Sequence, residues 1–179
     1  MYSVFSNVRT IGDFFRSIKW AWQRATKGYC ELDTYSVSDW FLNTLPDMLE
    51  EIKKNYTGYP DELTEQEWNE ILSRLTFLLR EANKDTCTKV NPYDEEYIRI
   101  SKEFRAKYGE WGKKLLTNEE KAEAKKNGSS RIYFPSDMPE YKDICELHSE
   151  EERKLNAYRE QCKNEALELF SKWFYSLGF

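Results

Sequence analysis

The strongest constraint on this chain is the spacing of its apolar residues, which recur every three or four positions in five separate segments. This spacing places them on one side of an α-helix, where they form an apolar stripe that a core can cover. The sequence contains no alternation of apolar and polar residues long enough to build a sheet. It therefore predicts an all-α fold of about five principal helices, with one or two short helices and no substantial sheet.

Capping signals mark the start of three predicted helices. Thr64 and Glu67 form a capping box, in which each side chain accepts a hydrogen bond from the other residue's backbone amide. The third principal helix is predicted to follow this box. Ser149 and Glu152 repeat the pattern and predict the start of the C-terminal helix. A further box begins at Thr117 and predicts a short charged helix.

The other helices have weaker boundary signals. The first is predicted between an Asn7 cap and a Gly28 stop. Its buried stripe is predicted to consist of Val8, Ile11, Phe15, Ile18 and Trp22. The second helix contains Pro46 inside its apolar pattern, which predicts a kink or a break into two helices. The fourth is predicted to start near Pro92, and its pattern continues to Leu115.

The composition is that of a folded protein. With 179 residues, 40% of them hydrophobic and 16% aromatic, the chain can bury a core of its own. We expect one helical domain over residues 1–179, to which residues 1–83 and 91–179 contribute two sets of helices. The net charge of −5 argues against a generic nucleic-acid binder. Because no membrane span and no secretory leader are evident, we expect a cytoplasmic protein with no membrane partner.

Signatures of catalysis are sparse. The four cysteines form no Cys-x-x-Cys pair, and the single histidine, His148, limits both metal and triad chemistry. Cys145 and His148 are three positions apart and on a helix could form a thiolate–imidazole pair, although a polar residue at a helix junction is ordinary. Carboxylate pairs are expected on solvated faces, because the chain has 32 acidic residues. We predict no catalytic residue, no metal site and no cofactor, and we favour a binding protein over an enzyme.

A candidate binding face lies on the first helix, away from its predicted stripe. Arg16, Trp20 and Arg24 recur every four positions, so the ring could stack on a base while the guanidinium groups hold phosphate. The other candidate ligand-binding residues in this region are Lys27, Tyr29, Asp33, Tyr35, Trp40, Tyr59 and Trp68. Two alternatives remain open. The arginines could simply cover the Trp20 ring, or another helix or a partner subunit could cover it.

Several short motifs occur in a fixed order between about residues 16 and 80. Trp22-Gln-Arg-x-x-x-Gly is followed by Asp33-x-Tyr, Leu45-Pro-x-Met-Leu, Gly58-Tyr-Pro and Thr64-x-x-Glu-Trp. This series resembles small, mostly uncharacterised proteins encoded by tailed bacteriophages and prophages. The resemblance implies a phage-encoded accessory protein that acts in the cytoplasm of a bacterial host. It implies no particular activity and no catalytic residue.

Three functions stay open at the level of sequence. The first is a non-enzymatic binding protein that counters host defence, for example by sequestering a nucleotide-type immune signal on the Arg16–Trp20–Arg24 face. The second is an interaction protein that binds a host or phage protein or a second copy of itself. The 12 Tyr, 10 Phe and 6 Trp exceed what the five stripes use, and such residues are typical interface anchors. The third is an all-α enzyme that acts on nucleotides through carboxylates. Sequence-specific nucleic-acid binding is not expected.

Overall fold

A computed structural model describes residues 10–55 and 58–177 of the chain. Within these two ranges there are six α-helices, four short 3₁₀ segments and no strand, which confirms the predicted all-α fold. The helices are α1 (Ile11–Lys27), α2 (Val37–Asn55), α3 (Glu65–Ala82), α4 (Asp94–Tyr108), α5 (Asn118–Asn127) and α6 (Pro139–Trp173). The 3₁₀ segments are Glu31–Tyr35, Glu110–Leu115, Pro135–Asp137 and Phe174–Ser176.

Several helix ends are where the sequence predicts them. The Thr64–Glu67 capping box begins α3, and the box at Thr117 begins α5. Gly28 ends α1 in the left-handed conformation, with a φ of 80° that suits glycine. The cap of α1 is Thr10, which forms a capping box with Asp13. The predicted Asn7 cap and the first stripe residue, Val8, lie outside the described residues.

Helix α2 runs through Pro46 without interruption, so the predicted break is wrong, while the alternative of a kink stays a prediction. A proline inside a helix costs about 3 kcal/mol, since it removes one hydrogen bond and crowds the preceding turn. Leu49 is fully buried in the core, and Leu42 and Leu45 pack against it. Burying leucine side chains contributes roughly 1.5–3 kcal/mol each, which offsets the cost of the proline.

Two other predicted boundaries are also wrong. The C-terminal helix starts at Pro139 rather than at Ser149, because the buried Tyr141 and Cys145 extend its apolar pattern toward the N-terminus. Helix α4, by contrast, is shorter than predicted: it ends at Tyr108 and does not continue to Leu115. Gly109 caps it with a φ of 79°, and the chain then turns through the 3₁₀ segment.

The chain divides into two compact units. Unit 1 comprises Met1–Thr88 and Tyr158–Phe179, and unit 2 comprises Lys89–Ala157. The core of unit 1 is formed by α2, α3 and the C-terminal part of α6, and its buried residues are Leu49, Trp68, Leu72, Leu75, Leu78, Leu79, Cys162, Ala166 and Trp173. The core of unit 2 is smaller and consists of Ile100, Phe104, Tyr141 and Cys145. The prediction of a single domain over residues 1–179 stays a prediction.

A buried carboxylate lies where the chain leaves and re-enters unit 1. Glu81 is 1% exposed and accepts hydrogen bonds from the Thr88 amide and hydroxyl, both at 3.0 Å, and from the Tyr158 hydroxyl at 2.9 Å. The Cys87 thiol is 3.7 Å from the same group. Burial by itself raises the pKa of Glu81, but the hydrogen bonds from Thr88 and Tyr158 outweigh it and hold the pKa below its usual value. The pKa of Tyr158 is raised by its burial and by the hydrogen bond to Glu81.

Candidate functional site

Helix α1 presents its apolar side to solvent. Ile11 is 78% exposed, Phe15 66% and Trp22 65%, while Phe14 and Ile18 are both more than two-fifths exposed. The buried residues of α1 are instead the polar Ser17 and Gln23. The prediction that the apolar stripe of this helix is buried is therefore wrong for all of its described members. We call the five exposed residues Ile11, Phe14, Phe15, Ile18 and Trp22 the α1 face.

An ion pair fixes the opposite side of α1 to the 3₁₀ segment Glu31–Tyr35. Arg24 Nε donates to Asp33 Oδ2 at 3.0 Å, and Arg24 Nη2 donates to Oδ1 of the same carboxylate. Asp33 Oδ2 also accepts from the Cys30 amide at 2.7 Å. The Asp33 side chain is largely buried, and the hydrogen bond from Arg24 holds the pKa of Asp33 below its usual value. A paired, planar fork of this kind fixes orientation as well as distance.

A second set of polar contacts joins the same two elements. The Glu31 amide donates to Gln23 Oε1 at 3.0 Å, and Gln23 Nε2 donates to Glu31 Oε1 at 3.2 Å. Lys19 Nζ lies 2.8 Å from the same Glu31 carboxylate and lowers its pKa. Three polar side chains of α1 thus hold the 3₁₀ segment, which explains why the polar side of the helix is turned inward.

The predicted Arg16–Trp20–Arg24 face is largely occupied within the protein. Arg24 pairs with Asp33, and Trp20 is half-buried on the inward side of the helix. Of the three residues, only Arg16 is more than half exposed, and its Nη2 lies 3.5 Å from Asp13 Oδ1. The guanidinium group of Arg24 is therefore committed to a carboxylate of its own chain, which competes with any phosphate.

The remaining predicted site residues do not form one cluster. Trp68 is in the core of unit 1, with its ring centre 5.6 Å from that of Trp173, so the prediction that it contacts a ligand at the surface is wrong. Lys27, Tyr29 and Tyr35 are exposed, and Tyr35 is 88% exposed at the end of its 3₁₀ segment. Trp40 is half-buried on α2, and Tyr59 is about half exposed. Among the ten predicted residues, the direct bond that the structure shows is Arg24–Asp33.

The structure also gives the surroundings of the candidate Cys145–His148 pair. His148 Nε2 lies 3.0 Å from Asp94 Oδ1, and its ring stacks on Tyr97 with centres 4.1 Å apart. Cys145 is buried in the core of unit 2, and burial raises the pKa of its thiol. A raised thiol pKa disfavours the thiolate that nucleophilic chemistry needs. In the part of the chain that the structure describes, no group of three or more His, Cys, Asp or Glu is placed to hold a metal ion.

Sequence reasoning missed the α1 face as an exposed surface. A charge signal for it exists, since residues 11–27 carry four basic residues and one acidic residue in a chain of net charge −5. Such a helix is basic and amphipathic, a pattern typical of segments that bind a partner. Arg16 and Lys19 border the α1 face on one side, and both side chains are more than half exposed.

No protein-family model, no curated protein and no solved structure matches the chain. Within residues 10–55 and 58–177, no helix combines the length and the hydrophobicity needed to cross a membrane.

Proposed function

We propose that this chain is a non-enzymatic interaction protein whose α1 face docks into an apolar groove of a partner protein. The observation that carries the proposal is the exposure of five large apolar side chains on one side of a helix whose other side is fixed by polar bonds. Their positions follow the i, i+4, i+7, i+11 spacing by which a helix fits a groove. Three of the five are Phe or Trp, and large aromatic residues are common anchors at interfaces.

The size of the exposed surface favours burial against a partner. Each large apolar side chain gains roughly 1.5–3 kcal/mol when it is removed from water. From Ile11 to Trp22 the α1 face spans about 16 Å of helix, at a rise of 1.5 Å per residue. Phe14 and Phe15 pack edge to face at 6.1 Å, so part of the surface is already arranged before a partner binds.

Charge favours a partner with acidic residues around its groove. Arg16 and Lys19 border the α1 face, and the helix as a whole carries three more basic than acidic residues. Two copies of α1 placed against each other would bring these like charges together, which disfavours a symmetric α1–α1 pair. An acidic rim on a different protein would instead attract Arg16 and Lys19, and it would make binding salt-dependent.

The resemblance to phage proteins supplies the biological setting of the proposal. In that setting the partner is a protein of the bacterial host or of the phage, and a role against host defence follows if the partner is a defence protein. Sequestering a nucleotide signal on the Arg16–Trp20–Arg24 face has less support, because Arg24 is paired and Trp20 is half-buried.

The test compares the whole chain with two matched variants. Ile18→Glu puts a charge in the middle of the α1 face, and Ile98→Glu makes the same change at an exposed position on α4. Each protein is immobilised and exposed to a lysate of the cells in which the chain is naturally made. Proteins retained by the chain and by Ile98→Glu, but not by Ile18→Glu, are then purified and titrated by calorimetry.

We expect a purified partner to bind the chain and Ile98→Glu equally and to bind Ile18→Glu at least about tenfold more weakly, because a charge would enter the apolar groove. Arg16→Glu should weaken binding less, and added salt should reduce the difference. The proposal is wrong if no purified protein shows this pattern. It is also wrong if light scattering shows a dimer that Ile18→Glu dissociates, since the α1 face would then pair with a second copy.

A further inference from the structure

Trp111 has an unusual backbone conformation on the surface of unit 2. Its φ is 58° and its ψ is 23°, and among the described residues it is the one non-glycine residue with a positive φ. The left-handed region is unfavourable for a bulky side chain and costs of the order of 1–3 kcal/mol. Nevertheless its side chain is not used to fill the core, because Trp111 is 57% exposed. Strained backbone conformations cluster at functional sites, so the exposed Trp111 ring is a candidate contact for a ligand.

Contacts with Tyr133 and Phe104 hold the strained turn in place. The Trp111 carbonyl accepts a hydrogen bond from the Tyr133 amide at 3.1 Å. The next residue, Gly112, is buried with a φ of 65°, and a Cβ atom at that position would lie 2.6 Å from Tyr133 Cβ and 3.3 Å from Phe104 Cζ. Only glycine fits so close a contact, so the position of the Trp111 backbone is fixed by the core of unit 2.

Neighbouring side chains add a second ring and a cation to this surface. Tyr133 is half-buried and donates its hydroxyl to Glu120 at 3.1 Å, while Ile132 and Phe134 on either side of it are about half exposed. The Arg131 guanidinium lies 4.7 Å from the Tyr133 ring centre, and its side chain is 65% exposed. Its Nη1 is 3.5 Å from Glu120 Oε1, a contact that keeps the guanidinium at the surface.

The stretch of sequence that contains Trp111 is basic, although the chain as a whole is acidic. Residues 105–131 carry eight basic and four acidic residues, so the rest of the chain carries nineteen basic and twenty-eight acidic residues. The basic residues are Arg105, Lys107, Lys113, Lys114, Lys121, Lys125, Lys126 and Arg131. Lys113 and Lys114 directly follow the strained turn, and Lys114 Nζ donates to the Lys107 carbonyl at 3.3 Å.

We propose that the surface around Trp111, Lys113, Lys114 and Arg131 binds single-stranded nucleic acid. Exposed aromatic rings beside basic side chains are the combination that such ligands need, since the bases stack on the rings and the phosphates lie against the cations. Stacking works with any base, so the proposal concerns binding without sequence preference. It goes beyond the proposed docking function, which uses α1 in unit 1.

The net charge of −5 does not argue against this site. Net charge sets the field far from the protein, whereas the charges next to a ligand decide its local affinity. A single strand uses both the aromatic ring and the basic side chains, and its successive phosphates can reach several of the spread lysines.

The experiment measures binding of a fluorescent oligouridylate of about 12 nucleotides, within the usual site size of such surfaces, by fluorescence anisotropy. The main variant is Trp111→Gly, which removes the ring and adopts the same backbone conformation without strain. Trp111→Phe keeps a ring at the position. Tyr175→Ala is the matched control, because Tyr175 is also an exposed aromatic residue but lies in unit 1 and outside the α1 face.

We expect Trp111→Gly to weaken binding at least about tenfold, since one stacked base is lost, while Trp111→Phe restores most of the affinity. Replacing Lys113 and Lys114 by Glu should weaken binding and reduce its dependence on salt between about 50 and 200 mM. Tyr175→Ala should bind as the unaltered chain does. Each variant is checked for native helix content and thermal unfolding.

The proposal is overturned if the unaltered chain does not bind the oligonucleotide at low salt. It is also overturned if Trp111→Gly binds normally, because the ring would then have no role. Equal competition by polyglutamate would show that the surface attracts any polyanion. Equal competition by uridine monophosphate at the same nucleotide concentration would show a site for a free nucleotide rather than for a strand.

Discussion

Helices α1 and α3 begin in the same way, but the apolar stripe of α3 is buried whereas that of α1 is exposed to solvent. Each starts at a Thr whose side chain forms a capping box with an acidic residue three positions later. The stripe of α3 is buried, and its core residues are Trp68, Leu72, Leu75, Leu78 and Leu79. The α1 face is exposed over its whole length. An apolar stripe therefore establishes that a helix has an apolar side, but it does not establish that the same chain covers that side.

The difference follows from what lies opposite each helix. The stripe of α3 meets apolar residues of α2 and α6, such as Leu49 and Ala166, both of them fully buried. Helix α1 instead meets the 3₁₀ segment Glu31–Tyr35, which offers the carboxylates of Glu31 and Asp33. Polar partners draw the polar side of α1 inward, and the apolar side faces solvent.

The largest expected effect on stability concerns Leu75, in the buried apolar stripe of α3. Leu75→Ala on α3 should lower the free energy of unfolding by about 2–5 kcal/mol, because Leu75 is 1% exposed and its removal leaves a cavity. Urea unfolding followed by circular dichroism measures the change. A loss below about 1 kcal/mol would show that the α3 stripe is not tightly packed.

The next effect concerns the end of α3. Glu81→Gln should lower the free energy of unfolding at neutral pH by roughly 1–3 kcal/mol. The carboxylate oxygen that accepts a hydrogen bond from the Thr88 backbone amide would be replaced by the side-chain oxygen of glutamine, which is a weaker acceptor, or by its nitrogen, which is a donor. The measurement is urea unfolding at several pH values. Asp85→Asn, the same acid-to-amide change at an exposed position in the same loop, serves as the matched control.

The pH dependence of this effect has a definite sign. Because the pKa of Glu81 is lowered in the folded protein, its stabilising contribution is complete above the unfolded value of about 4.3. The contribution is lost as the pH falls through the lower folded value. The difference between the chain and Glu81→Gln should therefore shrink below about pH 4, and a difference that grows in acid would contradict the lowered pKa.

A smaller effect is expected where α1 is held. Asp33→Asn removes the charge that pairs with Arg24 and should cost about 1 kcal/mol, since Arg24 remains partly solvated. Its main consequence should be local, so hydrogen exchange should become faster in α1 and remain unchanged in α3. Asp39→Asn, at an exposed carboxylate on α2, is the matched control. Equal protection of α1 in both variants would show that the ion pair does not hold the helix.

The smallest expected effect on stability concerns Ile18, on the exposed α1 face. Ile18→Ala should change the free energy of unfolding by less than about 0.5 kcal/mol, because the residue lies on a solvent-facing helix surface. The same urea titration measures it beside Leu75→Ala. A loss comparable with that of Leu75→Ala would mean that the α1 face is covered in solution.

The sequence predicts the α3 region well because local and tertiary signals agree there. The Thr64 box begins the helix, and the apolar spacing marks the side that the core covers. At Ser149 a local signal is overridden, since continuing α6 keeps its backbone hydrogen bonds while Tyr141 and Cys145 are buried upstream. The orientation of α1 depends on Arg24 finding Asp33 across a turn. No pattern of spacing within one helix encodes such a pairing, so the sequence predicts neither the Arg24–Asp33 ion pair nor the exposure of the α1 face.

The buried carboxylate of Glu81 also connects the two separate stretches of chain that form unit 1. Thr88 is the last residue before unit 2 and Tyr158 the first after it, and both donate to the same side chain. Thr88 and Tyr158 are also the two positions at which the chain of unit 1 meets that of unit 2 in sequence. Glu81 therefore joins the two stretches of chain that form unit 1, and it does so through contacts made entirely within that unit.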